Sequence, residues 1–301
     1  MFRIMLGICF LMPLVLSSQI DSTSQDSVSN MYPSLSLKKQ WRLDDQPDDD
    51  KVFKIDKYKP IFVMVTNYTD GVNTMPVSEN PLNSASEPTD YINSELKFQI
   101  SFKSLIWNDI GNSKISLWGA YTQSSRWQVF NVDLSRPFRE TNYEPEFILL
   151  WPTPYKLFGL DLTYISAAFN HQSNGRSNPY SRSWNRITFE MGFQGKDFTL
   201  LLKPWIRLSE DSMEDNNPDI LDTLGRGELV FLYMKNRFSV GFTGRHSLKF
   251  GDNNRGSLEL SLGFKLKGDL SLQGLLFHGY GESLLDYNYK QTMLGFGIRF
   301  L

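Results

Sequence analysis

A repeated two-residue alternation constrains this chain more than any other feature. Leu96, Phe98, Ile100 and Phe102 alternate with Lys97, Gln99, Ser101 and Lys103. Leu258, Leu260, Leu262, Phe264 and Leu266 alternate with Ser257, Glu259, Ser261, Gly263 and Lys265, and Leu294, Phe296, Ile298 and Phe300 with Gly295, Gly297 and Arg299. Successive side chains of a strand point to opposite faces, so each run predicts a strand with one apolar and one polar face. Noisier runs recur near 58–67, 114–123, 126–132, 145–151, 156–171, 184–194, 197–208, 224–235, 237–248 and 270–280. Together they predict about a dozen strands. No helical periodicity, internal repeat or second domain interrupts them.

Such a pattern suits a soluble sandwich, with its apolar faces inward, or a membrane barrel, with its apolar faces toward lipid. Several runs approach the roughly 9–11 residues that a tilted strand needs to cross a bilayer, against about 5–6 for an average soluble strand. Aromatic residues make up 14% of the 301, which favours strands and the aromatic girdles of outer-membrane barrels. A mean hydropathy of −0.33 excludes a bundle of membrane helices but not a barrel, in which only alternate residues meet lipid. The net charge of −2 lacks the basic excess of a nucleic-acid binder. Residues 1–18 read as a signal peptide: Arg3, the apolar run Ile4 to Leu16, then Ser17 and Ser18. The single cysteine, Cys9, lies inside it, so the exported chain has no disulfide, and a large closed sheet needs none. Residues 19–50 read as a polar, loosely packed arm. The expected fold class is all-β: a transmembrane antiparallel β-barrel of about 12 strands over residues 51–301, ending in Phe300-Leu301.

Chemistry concentrates in one place. Of the three histidines, His246 and His278 lie in strand patterns and read as structural; His171 opens a dense polar run, His171-Gln172-Ser173-Asn174-Gly175-Arg176-Ser177-Asn178-Pro179-Tyr180-Ser181-Arg182-Ser183-Trp184-Asn185-Arg186. On a strand His171 and Ser173 share a face. Histidine beside serine is the base and nucleophile pair of acyl transfer. Phe169 has the same parity, so if that face meets lipid, a lipid ester is the natural substrate. Gly175 can offer its backbone N–H to an oxyanion. Asn185 opens the next strand, where a hairpin would set it beside His171. An amide orients imidazole without the cost of a carboxylate at membrane depth, roughly 2.5–3.5 kcal/mol. His-x-Ser alone also occurs by chance, and Ser, Asn and Gly are ordinary turn residues. Oxygen donors in the 174–181 loop suit calcium, whereas the residues for a zinc site or a nucleotide-binding loop are missing.

The run from His171 to Arg186 resembles the signature of the outer membrane phospholipase A family. Pro137-Phe138-Arg139-Glu140-Thr141-Asn142-Tyr143-Glu144-Pro145, Lys203-Pro204-Trp205, Asn217-Pro218-Asp219-Ile220 and Gly279-Tyr280-Gly281-Glu282-Ser283-Leu284-Leu285-Asp286-Tyr287-Asn288 are similar to further family blocks, in the same order. The resemblance spans roughly Lys51 to the C-terminus. It implies a 12-stranded barrel in the outer membrane of a Gram-negative bacterium. It also implies calcium-dependent hydrolysis of phospholipid acyl esters (sn-1, sn-2 and lysophospholipids) on the lipid-facing, outer-leaflet side. By that resemblance Ser173 is the nucleophile, His171 the base and Asn185 the orienting residue, with the Gly175 amide and calcium-bound water as oxyanion hole. It further implies a silent monomer and an active homodimer. The calcium ligands would be the Arg176 carbonyl, Ser181 and, from the partner chain, Ser135; Gln123 would sit at the dimer interface. The family's second calcium site, in the monomer, uses aspartates where this chain has Asn178 and Asn216, and about three extra residues precede Asn216. A non-catalytic barrel, a pore or structural protein, and a soluble periplasmic β-sandwich binder are the alternatives.

Overall fold

The computed structural model describes residues 36–43, 52–157, 159–212 and 214–300. The signal peptide with Cys9, and all of the 19–50 arm except 36–43, lie outside the described residues. After a short helix α1 (Leu37–Gln40) come thirteen strands: β1 (Ile55–Lys57), β2 (Ile61–Thr69), β3 (Ser94–Trp107), β4 (Ser116–Trp127), β5 (Phe138–Leu157), β6 (Leu160–Ser173) and β7 (Ser183–Gln194). The series continues with β8 (Phe198–Leu208), β9 (Gly227–Lys235), β10 (Phe238–His246), β11 (Gly256–Lys267), β12 (Leu270–Tyr280) and β13 (Lys290–Phe300), with a one-turn helix α2 (Ile220–Thr223) between β8 and β9. Each strand from β2 to β13 pairs antiparallel with its sequence neighbours, and β13 pairs with β2, which closes a 12-stranded barrel. The thirteenth strand, β1, adds to β3 through Ile55↔Ser104 and Lys57↔Phe102. Closure leaves no edge in the β2–β13 barrel, the condition under which strands can cross hydrocarbon.

Parity settles which alternative holds. The apolar residues of the alternating runs point out of the barrel: Leu262 is 53% exposed and Phe296 59%. The polar ones point in, where Glu95, Ser101, Lys103 and Asn170 are fully buried. A soluble sandwich requires the reverse, so the outside is an apolar belt and the core is polar. Two earlier strand assignments shift. The run at 126–132 is the end of β4 followed by a turn, and the run at 145–151 belongs to the 20-residue β5.

One cluster of charged residues inside is paired. Lys59 Nζ lies 2.8 Å from Glu144 and 3.1 Å from Glu146, Arg186 reaches Glu144 at 3.2 Å and Lys203 reaches Glu146 at 3.5 Å. Removing one partner of such a cluster leaves an uncompensated buried charge, a loss of roughly 3–5 kcal/mol. The described part of the 19–50 arm is not loose. Ser36 caps α1, Gln194 accepts from the Leu37 amide at 2.9 Å, and Trp41 is buried edge-on against Tyr58, Trp118 and Tyr164. Lys103 Nζ sits 3.3 Å from the centre of the Trp41 ring, a cation–π contact strengthened by desolvation. Residues 36–43 therefore plug the barrel.

The two ends of the barrel differ. The β5–β6, β7–β8, β9–β10 and β11–β12 connections are short turns, whereas the β2–β3, β6–β7, β8–β9 and β12–β13 connections are long. The β12–β13 connection folds into the long-loop mouth. Its Glu282 meets Lys97 at 2.7 Å and Arg126 at 2.8 Å, and its Asp286 meets Arg139 at 2.8 Å. Burial alone would raise the Glu282 carboxyl, but Arg126 and Lys97 outweigh it and hold it at about 2. A depressed folded pKa stabilises above the unfolded value, 4.5, and is lost as pH falls toward the folded one. Glu282→Gln should therefore lower the urea midpoint at pH 7 and flatten its decline between pH 4.5 and 2 relative to wild type.

Candidate active site on the outer face of the barrel

The candidate residues gather where the β6–β7 hairpin meets the long-loop end. Register pairs His171 directly with Asn185 and Ser173 with Ser183. Asn170 is buried in the lumen and Phe169 is exposed outside. His171 and Ser173, which share Phe169's parity, therefore lie on the outer face, as the alternation predicts. Across β5, Tyr143 stands opposite Ser173, and across β8, Leu208 stands opposite Asn185. The surrounding outward residues are Phe147, Phe169, Phe189 and Ile206, all exposed. The polar group is thus an island in an apolar belt.

His171 Nδ1 and Asn185 Oδ1 are 2.8 Å apart, and Asn185 Nδ2 donates to Glu210 Oε1 at 3.1 Å. This second bond orients the amide, because a carboxylate can only accept. The amide oxygen then faces the ring, so Nδ1 carries the proton and Nε2 is left as a base. Burial raises the Glu210 carboxyl above its ordinary value; Arg207 opposes the rise and Asp215 adds to it.

The loop after Ser173 is held from within. Asn174 is buried; its Nδ2 donates to the Tyr180 and Glu140 oxygens, and its Oδ1 accepts from the amides of Arg176 and Arg182. Arg182 is also buried and donates to the carbonyls of Pro179, Ser181, Val77 and Asn83, which docks the 71–93 loop against this one. Gly175 adopts φ +63°, and a Cβ there would meet the Tyr143 ring at 3.1 Å. The left-handed φ favours glycine, and a Cβ would oblige the Tyr143 ring to give by a few tenths of an ångström. Its amide donates to none of the described residues.

The expected calcium ligands fall in two turns. Arg176 and Ser181 belong to the loop built on Asn174; Ser135 lies in the β4–β5 turn with φ +58°. Ser181 Oγ accepts from Asn216 Nδ2 at 3.2 Å, which leaves its second lone pair for a cation. Asn178 and Asn216 are occupied by protein: Asn178 Oδ1 accepts from Asn83 Nδ2, and Asn216 Oδ1 accepts from the Ser183 amide. Gln123 faces outward opposite Tyr143 and is bonded to the Tyr121 and Ser125 hydroxyls. His246 and His278 bond Asn254 and Thr292 within the sheet and its adjoining loop, away from His171. Sequence reading missed Asn174, Tyr143 and Glu210. Glu210 was the most accessible of the three, because it continues the outward parity of Ile206 and Leu208.

The phospholipase A1 family profile matches residues 37–300. The chain belongs to that family. Phospholipase A1 of Escherichia coli K12 is 34% identical over 233 residues, covering 77% of this chain and 78% of its own length. The Klebsiella pneumoniae enzyme is 37% identical over 204 residues, covering 68% and 69%. Among solved structures, outer membrane phospholipase A from E. coli superposes with a TM-score of 0.74 at 31% identity, covering 86% of this chain and 95% of that one. The Salmonella typhi protein, solved as a dimer with bound calcium, gives 0.74 at 30%, covering 85% and 94%. The fold and the family resemblance read from the motifs are thereby established: this is a phospholipase A1 family barrel of the outer-membrane type.

Gly175→Ala should strain the 174–182 loop by about 1–2 kcal/mol, the cost of a left-handed L-residue. The expected readout is faster amide exchange confined to that loop, with β6 and β7 unchanged.

Proposed function

We propose that this phospholipase hydrolyses acyl esters of phospholipids in the outer leaflet by a Ser173–His171–Asn185 mechanism on the barrel's lipid-facing surface. The observation that carries the reading is the His171–Asn185 hydrogen bond, made on the outward face two residues from Ser173. His171 Nε2 takes the Ser173 hydroxyl proton as Oγ attacks the ester carbonyl. The Gly175 N–H donates to the oxyanion of the tetrahedral intermediate. Return of the proton to the leaving glycerol oxygen expels a lysophospholipid and leaves an acyl-serine. Water, deprotonated by the same Nε2, then releases the fatty acid. Phe169, Phe189 and Ile206 place the acyl chain without taking it out of hydrocarbon. Long connections face the exterior in outer-membrane barrels, which supports an outer-leaflet position for the site.

Calcium fits the donors present. The Arg176 carbonyl, Ser181 Oγ and the partner subunit's Ser135 are hard, neutral oxygens of the kind calcium takes, with water filling its shell. When bound, the ion would supply positive charge beside the developing oxyanion. The amide contacts of Asn178 and Asn216 fit a calcium-free second site. Beyond its bonds to Tyr121 and Ser125, the outward Gln123 amide keeps one N–H and one acceptor lone pair that a second copy could meet, which supports a homodimer as the active form and a silent monomer. Two neighbours point the same way: the calcium-bound dimer from S. typhi, and an E. coli variant described as an active-site mutant with asparagine replaced by alanine.

Ser173→Ala should abolish fatty-acid release from phospholipid micelles, and Asn185→Ala should lower turnover by about 10–100-fold, the usual cost of losing an orienting partner. Equal losses in the two variants would remove Asn185 from its role. Ser135→Ala should raise the calcium concentration needed for half-activity by about tenfold while the barrel stays folded. An unchanged calcium titration would exclude Ser135 as a ligand.

A further inference from the structure

We infer that Glu210 is a fourth, positioning member of the catalytic array, acting on His171 through the Asn185 amide. The inference rests on the Ser173–His171–Asn185 reading and extends it by one residue. Asn185 is bonded at both ends: its oxygen to His171 Nδ1 at 2.8 Å, its Nδ2 to Glu210 Oε1 at 3.1 Å. The three groups thus form one line, imidazole to amide to carboxylate.

Two physical effects follow. A carboxylate accepting from Nδ2–H polarises the amide, which makes Oδ1 a stronger acceptor for the imidazolium formed as Ser173 is deprotonated. It also blocks the flipped amide, in which an N–H would face Nδ1 and impose the wrong tautomer. A neutral asparagine alone orients imidazole but brings no negative charge. Here the charge lies outside the membrane-crossing strand, because β8 ends at Leu208 and Glu210 is half-buried in the loop beyond. The amide carries its influence onto the lipid face, where a carboxylate itself would be costly.

The charged neighbours are few. Arg207 and Asp215, on the segment that carries Glu210, pair with each other at 2.6 Å. Arg207 is also held by the carbonyls of Asn217 and Pro218. His171 faces Glu210 across Asn185, and Tyr143 faces the site from β5. Of these, only Glu210 accepts from Asn185 Nδ2, and only His171 is bonded to its oxygen.

The test is a cycle of variants in the refolded, calcium-loaded dimer, each checked for heat-modifiable mobility. Glu210→Ala should lower kcat about tenfold with KM little changed, as for loss of an outer partner. Glu210→Gln keeps an acceptor and should recover part of that loss. In both, the acidic limb of the kcat/KM profile should move to lower pH, since a nearby carboxylate favours imidazolium. Added to Asn185→Ala, Glu210→Ala should cost nothing further. Wild-type activity and pH profile in Glu210→Ala would overturn the inference. So would an equal, additional loss in the Asn185→Ala background, which would mean that Glu210 acts only through the loop. Failure of the underlying reading is distinct: it would show as activity surviving Ser173→Ala.

Discussion

The register of β6 on β7 is the constraint on which the rest depends. In a sheet closed on itself, every residue's face is decided by parity and every cross-strand neighbour by register, and a one-residue slip would turn all side chains of a strand over. Here that would send Phe169 into a lumen full of charge and Asn170 into hydrocarbon. The burial of Asn170, bonded to Arg186 and Glu144 inside, and the exposure of Phe169 outside therefore hold the register from both faces. Once it is held, His171 must meet Asn185. The outer site is a consequence of the inner one: the ion pairs of Lys59, Glu144, Arg186 and Lys203 anchor the strands whose outward residues are proposed to do chemistry.

A polar island on an apolar surface has to satisfy itself. His171 and Asn185 bond to each other and Asn185 to Glu210; Gln123 bonds along its own strand to Tyr121 and Ser125. The formal charge stays at the margin, in the loop after β8. The 174–182 loop is fixed by the buried polar groups Asn174 and Arg182, which accept from or donate to its backbone directly. Loop and hairpin are thus held by hydrogen bonds inside the mouth, while the residues around them on the outer face are apolar.

Much of this was legible in the sequence because a barrel writes its architecture locally. Alternation located the strands, and the short range between His171 and Asn185 let a hairpin bring them together without knowledge of the wider sheet. What escaped was non-local. Trp41 sits in a polar stretch, and nothing nearby shows that Tyr58, Trp118, Tyr164 and Lys103 would converge on it from strands far apart. The noisy alternation at 126–132 predicts a strand, but Gln128 and Asn131 bond back to the 90–92 backbone and end β4 in a turn. Glu210 lies beyond the end of β8, where strand alternation no longer fixes which face a residue takes. The fate of Asn178 and Asn216 could be posed from the residues, but it took their amide partners to show how they are used.

The central claim is that Ser173 is an activated nucleophile on the membrane-facing surface. The most direct measurement is covalent capture: the refolded protein is treated with a long-chain fluorophosphonate in mixed micelles, with calcium or with chelator, and the adduct is located by peptide mass spectrometry. One adduct per chain on Ser173, formed with calcium and suppressed by chelator, is the expected result. An adduct on any other hydroxyl, or none on a folded and dimeric protein, would contradict it.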